Sequence, residues 1–313
     1  MPVLVIGMPF GRLANRLLLS SHLIAAGIEH GFRVANPVMG AYAEYFPACG
    51  DVLCRYPPLR APSFGKWGRR AASAIAWRLA NRRYERQQRG VAAGVIRPRR
   101  DQWVDLDWPE LHEMLRRWGT VYIQDWHFRT ADGCRKHVDA IRRYYAPWPG
   151  RMLAVRECLD RARAGERFVI GVHIRHGDYK DFEGGKYYHS HERYREAMER
   201  AREVFAGKDV VFVLCSDEPI PWDVFDGLDV MGGPGTELQD LYTLAGCDVL
   251  IGTLSTYLKW ASYYGDAPSY EIRQGVEGPS KESDFAVWSR LEHEHGETVP
   301  ADLQPLDLSS ISA

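Results

Sequence analysis

Three short runs and one aspartate in the second half of this chain hold the residue types best suited to chemistry. His173-Ile174-Arg175-His176-Gly177-Asp178 places an arginine, a carboxylate and two imidazoles within six residues. A guanidinium is a planar fork of donors that suits bidentate contact with phosphate, and Asp178 could orient it or accept a proton. Thr253-Leu254-Ser255-Thr256 gathers hydroxyls where a helix should begin. A helix start attracts anions through its unpaired N–H groups, and equally takes Ser or Thr as an ordinary cap. Ser216-Asp217-Glu218-Pro219 offers a hydroxyl and two acids to sugar or ribose hydroxyls, or simply makes a turn. Asp240, near the start of another helix, could accept from the N1–H and N2–H2 of guanine, or stabilise the helix dipole. In the first half, GMPFGRLAN (residues 7–15, with Gly11 and Asn15) is a glycine-bearing loop that would let a ligand approach. It is not GxGxxG and lacks the P-loop Lys-Ser/Thr, so dinucleotide and ATP-hydrolysis readings lose support.

A histidine cluster competes with these. His173, His176, His189 and His191, with Asp178, have metal-ligand side chains. None of this follows the i, i+4 helical spacing of HExxH, so no metal site is expected.

The elements that must position these residues can be read from pattern. VLVI (3–6) is a strand, followed by a glycine loop and a helix that stops at Gly31. Residues 55–150 are rich in Trp, Arg and Pro, with helices expected over 69–89 and 110–118 and a strand over VYIQDW (121–126). In the second half, strands are expected at 168–174, 209–215, 228–231, 248–252 and 269–272. Helices should run from Ser190 to about Phe205, from a Thr236-x-x-Gln239 capping box to Gly246, and from Ser255 to Tyr264 with Gly265 as the stop. Strands alternating with helices predict an α/β fold with a doubly wound parallel sheet. Ligands then bind outside the C-terminal strand ends. That rule selects the loops after residues 6, 174, 215 and 252, which hold most of the residues above. The expected domains are 1–150, an α/β lobe; 151–290, a nucleotide-binding lobe; and 291–313, a peripheral tail.

Composition narrows the class further. The chain has 313 residues, 45% hydrophobic and 26% charged, as in globular proteins, and no apolar run approaches a membrane span. The N-terminus has no positively charged n-region and only a short apolar stretch, which argues against a secretory signal and for a cytoplasmic compartment. Six scattered cysteines without a CxxC pair predict free thiols, with Cys215 and Cys247 buried. The net charge of −1 gives no general attraction to nucleic acid. Its distribution is lopsided: residues 1–150 carry 23 Lys and Arg against 12 Asp and Glu, and 151–313 carry 17 against 29. The excess concentrates in 55–100, where 13 basic residues face Glu85 alone. The expected helix over 69–89 holds Arg69, Arg70, Arg78, Arg82, Arg83, Arg86 and Arg89, with apolar residues in its first half. Such a helix could lie at an anionic membrane surface, be simply solvated, or pack through Ile75 and Leu79.

The blocks GRLANRLLL, VIGVHIRHGDY, FVLCSDEP and LQDLYTLAGCDVLIGTLSTYLKWASYYG resemble, in order and spacing, the α-1,2/α-1,6/protein O-fucosyltransferase superfamily. HIRHGD is similar to the His-x-Arg block of the bacterial nodulation-type α-1,6 enzymes. The resemblance covers 168–272 well and 1–30 modestly, and it does not extend over 50–150, where acceptor specificity would lie. It implies a GT-B fold of two Rossmann-like lobes and transfer of fucose from GDP-fucose to a glycan hydroxyl, with inversion and without a metal or other cofactor. The acceptor could be a polysaccharide unit, a lipid-linked oligosaccharide or a glycoprotein glycan. By position, Arg175 matches the arginine on the β-phosphate, and His173 the histidine heading that block. Asp240 matches the aspartate that reads guanine. Ser255, with Thr253 and Thr256, matches the hydroxyl segment on the diphosphate. Asp217 matches the acid after the next strand, and Glu183 falls where a base is proposed, with Asp178 as the other candidate. His176 stands where many members have a second arginine, and Lys259 precedes Trp260 where the α-1,2 group shows paired aromatics. Another nucleotide sugar on the same scaffold, a metal-dependent hydrolase and an inactive nucleotide-binding module are the competing readings.

Overall fold

A computed structural model describes residues 1–59, 65–291 and 304–308. The chain divides into two compact units, Met1–Trp148 with Arg290–Ala313, and Pro149–Ser289.

The first unit opens with β1 (Val3–Ile6) and α1 (Leu13–His30). Gly31 ends α1 in the left-handed conformation, φ 72°, and its N–H donates to the Gly27 carbonyl. β2 (Arg33–Ala35), β3 (Arg55–Tyr56), α2 (Gly65–Gln88), β4 (Val95–Ile96), β5 (Gln102–Asp105), α3 (Pro109–Trp118), β6 (Thr120–Ile123), β7 (Phe128–Arg129), α4 (Gly133–Lys136) and α5 (Val138–Tyr144) follow. The main sheet has the order β3-β2-β1-β6-β4, parallel except for β2 with β3. Leu4, Ile6, Leu19, Leu23, Val121 and Ile123 sit in its core. The strand expected over 121–126 stops at Ile123, because Asp125 turns the chain by accepting from the N–H groups of Trp126 and His127.

The helix expected over 69–89 is α2, and it does not pack through Ile75 and Leu79. Those two are 54% and 40% exposed, whereas Ala76 and Ala80 are buried and Tyr84 packs beside them. Small residues at i and i+4 let the helix lie close to the sheet, and the bulkier apolar residues fall on the other side.

The second unit runs α6 (Leu153–Ala162), β8 (Phe168–Ile174), α7 (His191–Val204), β9 (Val210–Ser216), β10 (Val230–Gly232), α8 (Glu237–Ala245), β11 (Val249–Thr253), α9 (Thr256–Gly265) and β12 (Ser269–Ile272). Its sheet is parallel throughout, in the order β10-β9-β8-β11-β12. Sequence neighbours spread outward from β8 to one side and from β11 to the other, so the topological switch lies between them. Ile170, Val172 and Ile174 pack with Tyr194, Ala197, Met198 and Ala201 of α7. By the two-residue period of a strand, Val169, Gly171 and His173 face the opposite layer. A Cβ on Gly171 would touch Leu244 and Cys247 there.

Two helix ends differ from expectation. Thr236 caps α8 by accepting from the Gln239 N–H, but the Gln239 side-chain oxygen accepts from the Thr236 hydroxyl at 2.9 Å instead of from its backbone N–H, so the capping box is one-sided. Gly265 is the last helical residue of α9, and Asp266 takes the left-handed stop, φ 59°.

Of the tail expected to be peripheral, β13 (Gln304–Pro305) pairs with β5 in a small parallel sheet, β13-β5-β7. Leu308 is buried with Val104 and Leu106. Leu308, with Leu306 half-buried beside it, covers apolar side chains of the first unit, while Gln304, Pro305 and Asp307 are exposed. All six cysteines are free and buried. Among the described residues, no helix is long and apolar enough to cross a membrane.

Candidate functional site

Arg175 is the first residue beyond β8, and the strand's alternation puts it on the same side as His173. Its backbone N–H donates to the Tyr194 hydroxyl of α7, 3.3 Å away. The guanidinium is held from two directions: Nη1 lies 2.8 Å from Asp217 Oδ2, and Nη2 donates to Asp178 Oδ1 at 2.5 Å. Asp217 also accepts the His176 backbone N–H at 2.9 Å, so this one carboxylate ties the end of β9 to the end of β8. Tyr179 lies under the guanidinium, 5.5 Å from ring centre to Cζ, and donates to the Leu254 carbonyl. Burial pushes the Tyr179 phenol up to about 12, which keeps it a neutral donor. The turn after β8 is thereby fastened to the loop between β11 and α9.

That loop runs straight into α9. Ser255 is the N-cap, accepting from the Leu258 N–H at 3.1 Å. Its acceptor capacity goes partly to the helix, which leaves the first-turn N–H groups and the dipole as the anion-attracting feature. Thr256 begins the helix, half-buried. The Thr253 hydroxyl is buried and donates to the Tyr187 carbonyl, so it serves the packing of the loop 177–190.

Beneath Arg175, His173 is buried and stacks on Tyr257 of α9, ring centres 4.7 Å apart. Burial, with the Arg175 charge beside it, drives the imidazole down to about 3, so it is neutral. Its Nε2 is buried and has no hydrogen-bond partner among the described residues. An orphaned ring nitrogen this deeply buried carries an unmet desolvation cost.

Asp240 sits in the first turn of α8 and is only 7% exposed. Oδ1 accepts the Gly235 N–H at 2.7 Å, and burial pushes the carboxyl up to about 6. Gly233 allows this approach, since a Cβ there would stand 2.6 Å from Cys215 Sγ and 3.0 Å from Asp240 Oδ1.

The acids after β8 differ. Asp178 belongs to the Arg175 ion pair, with 59% of its side chain exposed. Glu183 is exposed, in a turn where its backbone is left-handed, φ 48°, and among the described residues its carboxylate has no hydrogen-bond partner. His176 points inward: its ring is buried, its Nε2 meets the His189 carbonyl at 2.7 Å, and it packs edge-on to His191. Lys259, also buried, lies over the Trp288 ring. Among the described residues, no group of three His, Cys, Asp or Glu is placed to hold a metal ion.

Gly11 and Asn15 belong to the first unit. Gly11 is left-handed, φ 51°, and a Cβ there would run into the Asn15 side chain. The loop is anchored by Arg16, which donates to the Gly11 and Val38 carbonyls.

The second unit thus brings together Arg175, Asp178, Asp217, His173 and the start of α9. Sequence reasoning did not single out Tyr179, Tyr194 and Tyr257, which orient that group. Tyr179 and Tyr257 stand beside the polar runs in HGDY and STY, and an aromatic adjoining a charged cluster at a strand end was the available signal.

No protein-family model matches the chain, and no curated protein matches it by sequence. Solved structures do match it. NodZ alpha-1,6-fucosyltransferase, soaked with GDP-fucose, aligns over 88% of this chain and 99% of its own at 18% identity, with a TM-score of 0.50. A mutant of Arabidopsis thaliana FUT1 in complex with GDP covers 91% of this chain and 73% of its own at 11% identity, TM-score 0.54. POFUT1 in complex with GDP covers 88% and 99% at 11% identity, TM-score 0.51. The chain therefore has the two-lobed α/β GT-B fold of these fucosyltransferases.

Proposed function

We propose that this protein transfers fucose from GDP-fucose to a hydroxyl of a glycan acceptor, with inversion and without a metal ion. The observation that carries the proposal is the Arg175 guanidinium, fixed by Asp217 at the C-terminal end of β8 and tied through Tyr179 to the loop that starts α9. In the reaction the bond from fucose C1 to the β-phosphate oxygen breaks and the acceptor oxygen bonds to C1 from the opposite face. The diphosphate leaves with the electron pair, and the acceptor proton goes to a base. Arg175 and the α9 N-terminus meet the developing charge on the diphosphate. The Arg175–Asp178 pair is the contact a diphosphate would exchange for, since an exposed ion pair is worth only about 0–1 kcal/mol. Asp217, on the inner side, keeps the fork aimed. His173 offers its neutral Nε2 to the donor, and Asp240 offers a carboxylate to guanine. Glu183, unpaired and exposed, is the base in this reading, and Asp178 a positioning residue for Arg175.

The test is donor binding followed by transfer. In EDTA, GDP should raise the melting temperature of the wild type and UDP much less. At about 100 times Kd the stabilisation is about 2.7 kcal/mol. Arg175→Ala should abolish the GDP effect and Arg175→Lys restore it only partly, because a point charge cannot replace the fork. Screening glycan acceptors with GDP-fucose for GDP release then identifies the acceptor. Equal stabilisation by UDP, or an Arg175→Ala protein that binds GDP normally, would overturn the reading.

A further inference from the structure

We infer that the outward face of α2 docks on an anionic lipid bilayer. The inner side of this helix packs within the first unit. Ala76 and Ala80 are buried, Arg83 lies over the Tyr122 ring at 4.6 Å, and Arg97 lies over Tyr84 at 4.5 Å. The outer side is not. Trp67, Ile75 and Leu79 are 81%, 54% and 40% exposed, and Arg78, Arg82 and Arg86 are exposed beside them. At about 100° per residue, these six fall within an arc of about 120°. None of the three arginines has an ion-pair partner among the described residues, and Glu85 is the sole acid of the helix. Arg89 extends the basic row just past its end. From Trp67 to Arg86 the face spans about 30 Å at about 1.5 Å per residue, with the basic row over its last half.

The chemistry of the two residue kinds selects the occupant. A nucleic acid or an acidic protein would account for the arginines but not for the leucine between two of them, nor for the isoleucine and tryptophan on the same arc toward the helix start. A bilayer accounts for both: phosphate headgroups meet the guanidinium groups while the apolar side chains enter the acyl boundary. The arginine stems can follow the apolar surface while their heads stay with the phosphates. The sign of the charge requires anionic lipid. This inference stands on α2 alone and does not depend on the donor assignment.

The experiment is flotation of the full-length protein with vesicles of phosphatidylcholine alone, or with about one-third phosphatidylglycerol, at low and high salt. Binding should require phosphatidylglycerol and weaken as salt shortens the screening length. Each arginine near the surface contributes about fivefold in partitioning, about 1 kcal/mol at about 1.4 kcal/mol per tenfold. Arg78→Gln/Arg82→Gln/Arg86→Gln should therefore lose about 100-fold. Trp67→Ser/Ile75→Ser/Leu79→Ser should also lose binding, at unchanged charge. All six residues are exposed, so both variants should melt like the wild type. The inference is overturned if the wild type stays with the soluble fraction at low salt, or if the arginine variant floats like the wild type. It is also overturned if the apolar variant floats undiminished, which would leave a plain polyanion site; duplex DNA would then compete equally with both proteins.

Discussion

Asp240 gives the most quantitative handle on the site. Burial raises its carboxyl from the ordinary 3.8 to about 6. That is roughly two powers of ten in proton affinity, or about 3 kcal/mol at about 1.36 kcal/mol each. The sign follows from linkage: the native state holds this proton more tightly than the unfolded chain, so stability falls as pH rises from about 4 to about 6 and stays low above that. Asp240→Asn removes the charge while its side-chain oxygen can still accept the Gly235 N–H. At pH 8 the variant should be more stable by up to about 3 kcal/mol, a melting shift of roughly 6–12 °C for a unit of this size. At pH 4 the difference should nearly vanish. If the carboxylate serves guanine, the same change should weaken GDP by about 1.5–3 kcal/mol, the worth of a charge-assisted hydrogen bond, and abolish the preference for GDP over inosine diphosphate. Wild-type affinity should itself fall by up to tenfold per pH unit below about 6, and that of the variant should not. Calorimetric melting and titration calorimetry across pH 4–8 read both effects. A variant that loses stability equally at pH 8 and pH 4 would refute the idea that a buried charge is being tolerated there. Unchanged GDP affinity with raised stability would refute only the guanine role.

Two further perturbations separate parts of the structure. Glu183→Gln should lower kcat by roughly 100-fold or more while leaving GDP affinity within twofold, whereas Asp178→Asn should change GDP affinity more than kcat; the opposite pattern in steady-state kinetics exchanges the two roles. In the first unit, a Cβ on Gly7 would stand 2.6 Å from Ala80 Cβ, so Gly7→Ala should cost about 1–3 kcal/mol in urea unfolding. Adding Ala80→Gly should recover part of that loss, and a Gly7→Ala protein as stable as the wild type would show that α2 does not press on β1.

The second unit was legible in the sequence almost strand by strand. FVIGVHI is β8 to the residue, SYEI is β12, and β9, β10 and β11 lie within two residues of expectation at each end. Buried parallel strands leave continuous apolar runs, and caps such as Ser190 and Ser255 mark where helices start. The cluster around Arg175 was legible for the same reason, since the strand ends fixed which loops would converge. The first unit was less so. β2, β3, β4 and β7 are two or three residues each, too short for any period to declare itself. What the sequence could not reveal about the site was partnership: that His176 turns inward to His189, that the Thr253 hydroxyl goes to Tyr187, and that Asp217 rather than Asp178 is the inner partner of Arg175. These depend on contacts between segments 13 to 66 residues apart, which local pattern does not encode.

The pairing of β13 with β5, and the burial of Leu308 beside Val104 and Leu106, also set an order of events during synthesis. The second unit is contiguous and can close as soon as residue 289 has left the ribosome. The first unit has most of its chain earlier, yet its small sheet stays short of one strand until residues 304–308 emerge. Between residue 148 and that point, at about 5–20 residues per second, roughly ten to thirty seconds pass. Through that interval the edge of β5 and the apolar side chains under Leu308 stand open in the nascent chain. The half of the protein made first is therefore the half finished last.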